Sequence, residues 1–217
     1  MKLVQGRTLA EGPAPATESA ALSVFERVAD AVAFAHAHGV IHLDLKPSNI
    51  MIGAFGEVLV MDWGVAKLLA PRALDADATG VRVAGTPGFM APEQAAGGVL
   101  GPESDVYALG ALLFWLLRGT APPANPLAMA TLLKGQAPRV PRRLRAIISM
   151  CLAIAPAHRY PDASAVVADL ARYRAGEAVH ALPETLVDRA VRFGAKHHTI
   201  ILLIAAYLLM RAAVAWW

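Results

Sequence analysis

The sequence predicts an α+β fold, mainly helical, with a separate hydrophobic helix at its C-terminal end. Three observations carry this. Apolar residues recur at helical spacing over 19–38 and run unbroken over 106–117, two short β-rich segments flank a Gly-containing turn at 53–56, and a last apolar run closes the chain at 199–217. The 217 residues fit one domain, or one domain and a tail, and are enough to bury a proper core.

The chain opens as a short extended stretch, and Glu11 to Thr17, with Pro13 and Pro15, reads as a loop. From Ser19 to His38 the residues Leu22, Phe25, Ala29 and Val32 form one stripe, and Val24, Val28, Ala31 and Ala35 an adjoining one. Two stripes side by side predict a largely buried helix, and Gly39 stops it. "VIH" at 40–42 is a brief strand leading into the loop "HLDLKPSN" at 42–49. Pro47 there biases Lys46 towards extended backbone and keeps a helix from resuming.

"NIMI" and "EVLVMD" around "GAFG" predict a hairpin. Antiparallel pairing of 50–52 with 58–60 sets Asn49 roughly opposite 61 and 62, so Asn49 and Asp62 share one end of the hairpin. Two hard oxygen donors converging in this way suit Mg²⁺, which fills its other positions with water and phosphate. An Asn opening a strand and an Asp closing one also read as turn residues, and from the spacing alone both readings stand.

Val65 to Gly98 reads as a long irregular stretch. A buried helix follows at 105–118, closed by Gly119, because "VYALGALLFWLL" is uncharged yet spans only about 18 Å, too short for a hydrocarbon core of about 30 Å. A Pro-rich connector from Ala121 to Pro126 leads to two further helices, near 141–153 and 163–174.

The residues are 56% hydrophobic and the mean hydropathy is +0.46, both high for a soluble domain. The run at 199–217 covers about 28 Å as a helix and predicts a membrane span, with Arg211 snorkelling outward near the end. Arg189, Arg192, Lys196, His197 and His198 precede it, and Trp216 and Trp217 suit the far interface. That asymmetry predicts a cytoplasmic membrane protein with its N-terminal bulk in the cytoplasm. "MKLVQGRTLAEG" has no apolar h-region, so no secretory signal is expected. The single Cys151 excludes an intrachain disulfide and reads as a small buried residue. A net charge of +3 and a pI near 9.2 are only mildly basic, so no nucleic-acid partner is expected.

In order and spacing, five segments resemble the eukaryotic-like serine/threonine protein kinases, within them the bacterial membrane-tethered type. They are "HLDLKPSN" at 42–49, "DWG" at 62–64, "GTPGFMAPE" at 85–93, "SDVYALG" at 104–110 and "APAHRYPDA" at 155–163. The resemblance implies the large, helical lobe of that fold over 11–174, a hinge-like segment over 1–10, a basic juxtamembrane linker over 175–198 and the membrane helix over 199–217. It also implies roles. Asp44, following His42 in the loop motif, would accept or orient the proton of a substrate hydroxyl, and Lys46 would steady the transferred phosphate. Asn49 and Asp62 would hold Mg²⁺, and Lys2, Leu3 and Val4 would line the adenine edge of ATP. Thr86 would brace the catalytic loop, Glu93 would pair with Arg159, and Asp105 would tie the central helix to the loop backbone. Lysine at 46 points to serine and threonine of a protein substrate as acceptors.

Three departures qualify the match. Leu43 stands where the family has an arginine that receives an activation-segment phosphate, so ordering through that contact is not expected. Trp63 stands where the family has phenylalanine. The stretch that supplies the family's small β-rich lobe, with its G-x-G-x-x-G loop and strand lysine, has no counterpart ahead of the hinge-like segment; "GAFGEV" at 53–58 lies after the catalytic loop and is only the hairpin turn. Positioning and electrostatic clamping supply most of phosphoryl-transfer catalysis, so these 217 residues alone are expected to be inactive or very weak. The alternatives to a kinase are a membrane-tethered pseudokinase that binds a partner, and a non-functional gene fragment.

Overall fold

The computed structural model describes residues 6–68, 86–134, 140–183, Leu203 and 210–212. The chain divides into two compact units, Met1–Ala181 and Leu182–Trp217. Among the described residues no helix is long and apolar enough to cross a membrane. Apart from Leu203 and 210–212, the span expected at 199–217 lies outside them, as do Lys2, Leu3 and Val4.

The first unit begins with β1 (Gly6–Thr8) and α1 (Glu18–Ala37). Thr17 caps α1 by accepting from the Ala20 N–H at 3.1 Å, and Leu22, Phe25, Val28, Ala29 and Val32 are buried along it. After α1 come β2 (Val40–Ile41), β3 (Ile50–Gly53), β4 (Val58–Val60) and β5 (Lys67–Leu68). β3 pairs with β4 in the register expected, Ile50 with Val60 and Ile52 with Val58, and β1 adds antiparallel to the other edge of β3. β5 returns to pair with β2 as a separate two-stranded ladder.

The remaining elements are α2 (Pro92–Ala95), α3 (Pro102–Arg118), α4 (Pro126–Lys134), α5 (Arg142–Cys151) and α6 (Ala163–Arg174). α3 is the spine. It starts three residues before the expected position because Pro102 occupies its first turn, and it ends at Gly119, whose φ of 68° only glycine adopts freely. Every residue from Ser104 to Phe114 is buried, with α1 on one side and α5 and α6 on another. The expected stripes thus become one core shared by α1, α3, α5 and α6. Within it Cys151 is fully buried, and burial pushes its thiol well above the ordinary range, which leaves it inert.

α3 and α5 meet closely at Gly110, where a Cβ would stand 2.4 Å from Cβ of Cys151 and 3.1 Å from Cγ of Leu152. Alanine is the better helix former by about 1 kcal/mol, but overpacking a tight core costs about 1 to 3 kcal/mol. Gly110→Ala is therefore expected to lower the urea midpoint, by a net loss of about 1 kcal/mol. An unchanged or raised midpoint would mean that the two helices separate freely.

α6 closes on α1, where Tyr173 donates to Glu18 at 2.7 Å and Arg174 pairs with Glu26. Burial and the Glu18 contact push the Tyr173 phenol up to about 12. Beyond α6 the first unit continues to Ala181, so 175–181, expected to open a linker, packs with the lobe. The buried Asp169 carboxylate holds it there, accepting from the backbone N–H groups of His180 and Ala181 and from the Tyr160 hydroxyl.

Candidate functional site

The loop 42–49 is built around a carboxylate that lies outside it. Asp105, in the first turn of α3, is fully buried, and its Oδ2 accepts from the His42 N–H at 2.7 Å while its Oδ1 accepts from the Leu43 N–H at 2.8 Å. Leu43 has φ 67°, a left-handed conformation unusual for a branched side chain, and its carbonyl accepts from Nε2 of Gln94 at 2.7 Å. Both peptide groups flanking Leu43 are thus fixed from α2 and α3. Lys46 is extended, as the following proline requires, and Pro47–Asn49 is a single 3₁₀ turn that delivers Asn49 to the start of β3.

His42 is fully buried. Its Nδ1 lies 3.2 Å from the Asp44 N–H, which can only donate, and its Nε2 lies 3.0 Å from the Met61 carbonyl, which can only accept. These contacts fix the Nε2–H tautomer and join the loop to the end of β4.

Asp44 is gripped on one oxygen only. Its Oδ2 lies 2.7 Å from Nζ of Lys46 and 3.0 Å from Nδ2 of Asn49, which also donates to the Asp44 carbonyl at 2.8 Å. Oδ1 accepts no hydrogen bond among the described residues. The site therefore contains a carboxylate with one oxygen held and one available, beside an ammonium.

The hairpin register places Asn49 opposite Met61, whose N–H donates to the Asn49 carbonyl at 2.8 Å, and Asp62 follows directly. The Asn49 amide nitrogen is committed to Asp44, whereas its Oδ1 has only a long contact from the Ser48 hydroxyl, at 3.5 Å, and is the atom a ligand can share. The Asp62 carboxylate is exposed and caps no backbone group. An amide oxygen and a carboxylate fit Mg²⁺, which takes few protein ligands and completes its shell with water and phosphate.

Glu93 and Arg159 meet as a fork, Nη1 to Oε1 at 2.7 Å and Nη2 to Oε2 at 2.8 Å. The three remaining guanidinium N–H groups donate to the carbonyls of Ala153, Glu103 and Ile154, so all five donors are used. Burial alone would push the Glu93 carboxyl up; hydrogen bonds from Arg159, its own backbone and Ser104 outweigh that and hold it below the ordinary range. Thr86 is not brought into this framework. Its carbonyl accepts from the Phe89 N–H at 3.0 Å, its side chain is exposed, and among the described residues no side-chain bond joins it to 42–49. Two residues on, Gly88 has φ 93° and lies so close to the Pro122 carbonyl that a Cβ would stand 2.6 Å from its oxygen.

His36 was not singled out from the sequence, yet it belongs to the site's support. Its Nε2 donates to Oδ2 of Asp105 at 3.0 Å, and its Nδ1 accepts from the Ala163 N–H at 3.2 Å, linking the loop's anchor to the start of α6. One signal was present: the stripe Leu22, Phe25, Ala29, Val32 continues at helical spacing to 36, where a histidine replaces the expected apolar residue.

Against known proteins, residues 2–168 match the protein kinase domain family. The chain is 36% identical over 201 residues to serine/threonine-protein kinase PknB of Mycolicibacterium smegmatis, a match covering 87% of this chain and 32% of that protein. It is 36% identical over 183 residues to serine/threonine-protein kinase PrkC of Bacillus subtilis, covering 78% and 28%. A probable serine/threonine-protein kinase PknB of Lactococcus lactis is 33% identical over 184 residues, covering 79% and 29%. The chain thus spans about a third of the length of these curated relatives, at 32%, 28% and 29%.

Proposed function

The chain belongs to the protein kinase family, and from that premise we propose that it supplies the catalytic lobe for transferring the γ-phosphoryl group of ATP to serine or threonine hydroxyls of a protein substrate. The observation that carries this reading is the one-sided grip on Asp44. With Oδ2 held by Lys46 and Asn49, Oδ1 remains to accept the hydrogen of an incoming hydroxyl and aim it at the phosphorus. Lys46 sits on the far oxygen of the same carboxylate, within reach of a phosphate approaching that edge. Asn49 and Asp62 would hold Mg²⁺, which when bound neutralises charge on the phosphates.

The adenine edge at Lys2, Leu3 and Val4 is part of the same proposal. So is a membrane tether at 199–217 with the lobe facing the cytoplasm, supported by the apolar run and the basic residues ahead of it.

The test is to tag the protein as its cell makes it, purify it from membranes with Mg²⁺ and labelled ATP, and compare it with the Asp44→Asn form. Loss of the base should lower transfer to a serine- or threonine-containing protein by about 10²- to 10⁴-fold. Equal transfer by both forms would remove Asp44 from the chemistry, and no transfer by the native form would favour a binding role.

A further inference from the structure

The segment 60–63 is restrained more than the end of a strand requires. Asp62 has φ 60° and ψ 61°, a left-handed conformation that costs a residue with a Cβ and persists only where its surroundings over-determine it. The Asp62 side chain supplies none of that restraint, since it is exposed and caps nothing in the turn Trp63–Val65.

The restraint comes from its neighbours. Nε1–H of Trp63 donates to the Val60 carbonyl at 3.1 Å, bridging back across Asp62. The indole lies against His42, with ring centroids 4.5 Å apart and planes inclined at 57°. His42 itself donates to the Met61 carbonyl, and the Met61 N–H is engaged by Asn49. Two successive carbonyls before Asp62 and the ring directly after it are therefore all fixed, and His42 touches two of the three.

We propose that Trp63 is a positioning residue whose indole N–H closes a staple over Asp62 and presents its carboxylate to the metal. A phenylalanine at 63 could still pack on His42 but has no donor for Val60, so the staple belongs to the tryptophan. The inference rests on the reading of Asp62 as a metal ligand.

The full 217-residue chain can be titrated with Mn²⁺ alone, reading paramagnetic broadening of backbone amides around 49 and 62, in native, Trp63→Phe and Asp62→Asn forms. Exchange of the Trp63 indole proton, assigned by its disappearance in Trp63→Phe, is read in parallel. The expected result is a protected indole proton and Mn²⁺ affinity weakened roughly three- to tenfold in Trp63→Phe, the worth of one neutral hydrogen bond. Asp62→Asn should weaken it further. If Asp62→Asn weakens binding while Trp63→Phe matches the native chain, the staple is overturned and the metal reading stands. If Asp62→Asn leaves Mn²⁺ binding unchanged, the metal reading fails and takes the staple's purpose with it, even where the indole proton is protected.

Discussion

Replacing Arg159 with leucine is expected to destabilise the first unit by about 3 to 5 kcal/mol, against the roughly 5 to 15 kcal/mol that holds an ordinary domain folded. Leucine fills part of the volume, but it leaves a half-buried Glu93 carboxylate and the carbonyls of Ala153, Glu103 and Ile154 without the donors they now share. It also removes the guanidinium from the face of the Tyr107 ring, 5.0 Å away. Arg159→Lys keeps the charge but brings a point-like ammonium to a site shaped for a planar fork, so roughly half of the loss should remain. Urea unfolding followed by far-UV circular dichroism measures both, and a cost below about 1 kcal/mol for Arg159→Leu would show the fork to be idle. Glu93→Leu combined with Arg159→Leu should cost less than the sum of the single changes, since no unpaired charge is then left behind.

The same pair sets a pH dependence. Glu93 is held below its ordinary range in the folded chain, as is Asp169, where burial pushes up and the bonds from Tyr160, His180 and Ala181 more than offset it. A carboxyl depressed by folding binds its proton more readily when unfolded. Its contribution is therefore complete above the ordinary carboxylate range, near pH 4 to 5, and drains away as pH falls below it towards the depressed folded values. In Arg159→Leu the acid limb should flatten in part, because Glu93 no longer has the partner that protonation would break.

How much of this was legible in the sequence depended on how local each feature is. The β3–β4 register, which brings Asn49 and Met61 together, followed from a turn of four residues and two strands that could pair only one way. α3 was legible because twelve uncharged residues between Asp105 and Arg118 are too short to span a membrane and too apolar to face water. By contrast, β5 pairs with β2 across more than twenty residues of chain, and two-residue strands carry no period to announce themselves. α4 was hidden behind its own connector: Pro126 reads as part of a Pro-rich loop, yet it occupies the first position of the helix, where a proline is welcome. The pairing of Glu93 with Arg159 came from family resemblance and from nothing in the spacing. Asp169 was not singled out, because two of its four partners are backbone N–H groups that any residues at 180 and 181 would present.

Asp105→Asn should damage the loop more than so small a change suggests. The carboxylate accepts from three donors, the N–H groups of His42 and Leu43 and Nε2–H of His36, and has nothing to donate. An asparagine keeps one acceptor oxygen. If that oxygen stays at Oδ2, where two of the donors converge, the NH₂ group must face the Leu43 N–H, donor against donor in a fully buried place. The cost is the bond plus the unmet desolvation of both groups, about 2 to 4 kcal/mol. It falls unevenly, because Leu43 is the residue whose left-handed backbone needs holding, and its release costs the chain nothing locally. Hydrogen exchange on the Leu43 amide should therefore quicken by a larger factor than that on His42, and the Asp44 amide, which donates to the His42 ring, should follow. A second change, His36→Gln, retains a donor near Oδ2 of Asp105 but removes the ring acceptor for the Ala163 N–H, so it should loosen the start of α6 while leaving Leu43 protected. If Asp105→Asn instead leaves the Leu43 amide as slow to exchange as before, the loop is shaped by Gln94 and by its own packing, and the buried carboxylate serves the helices alone.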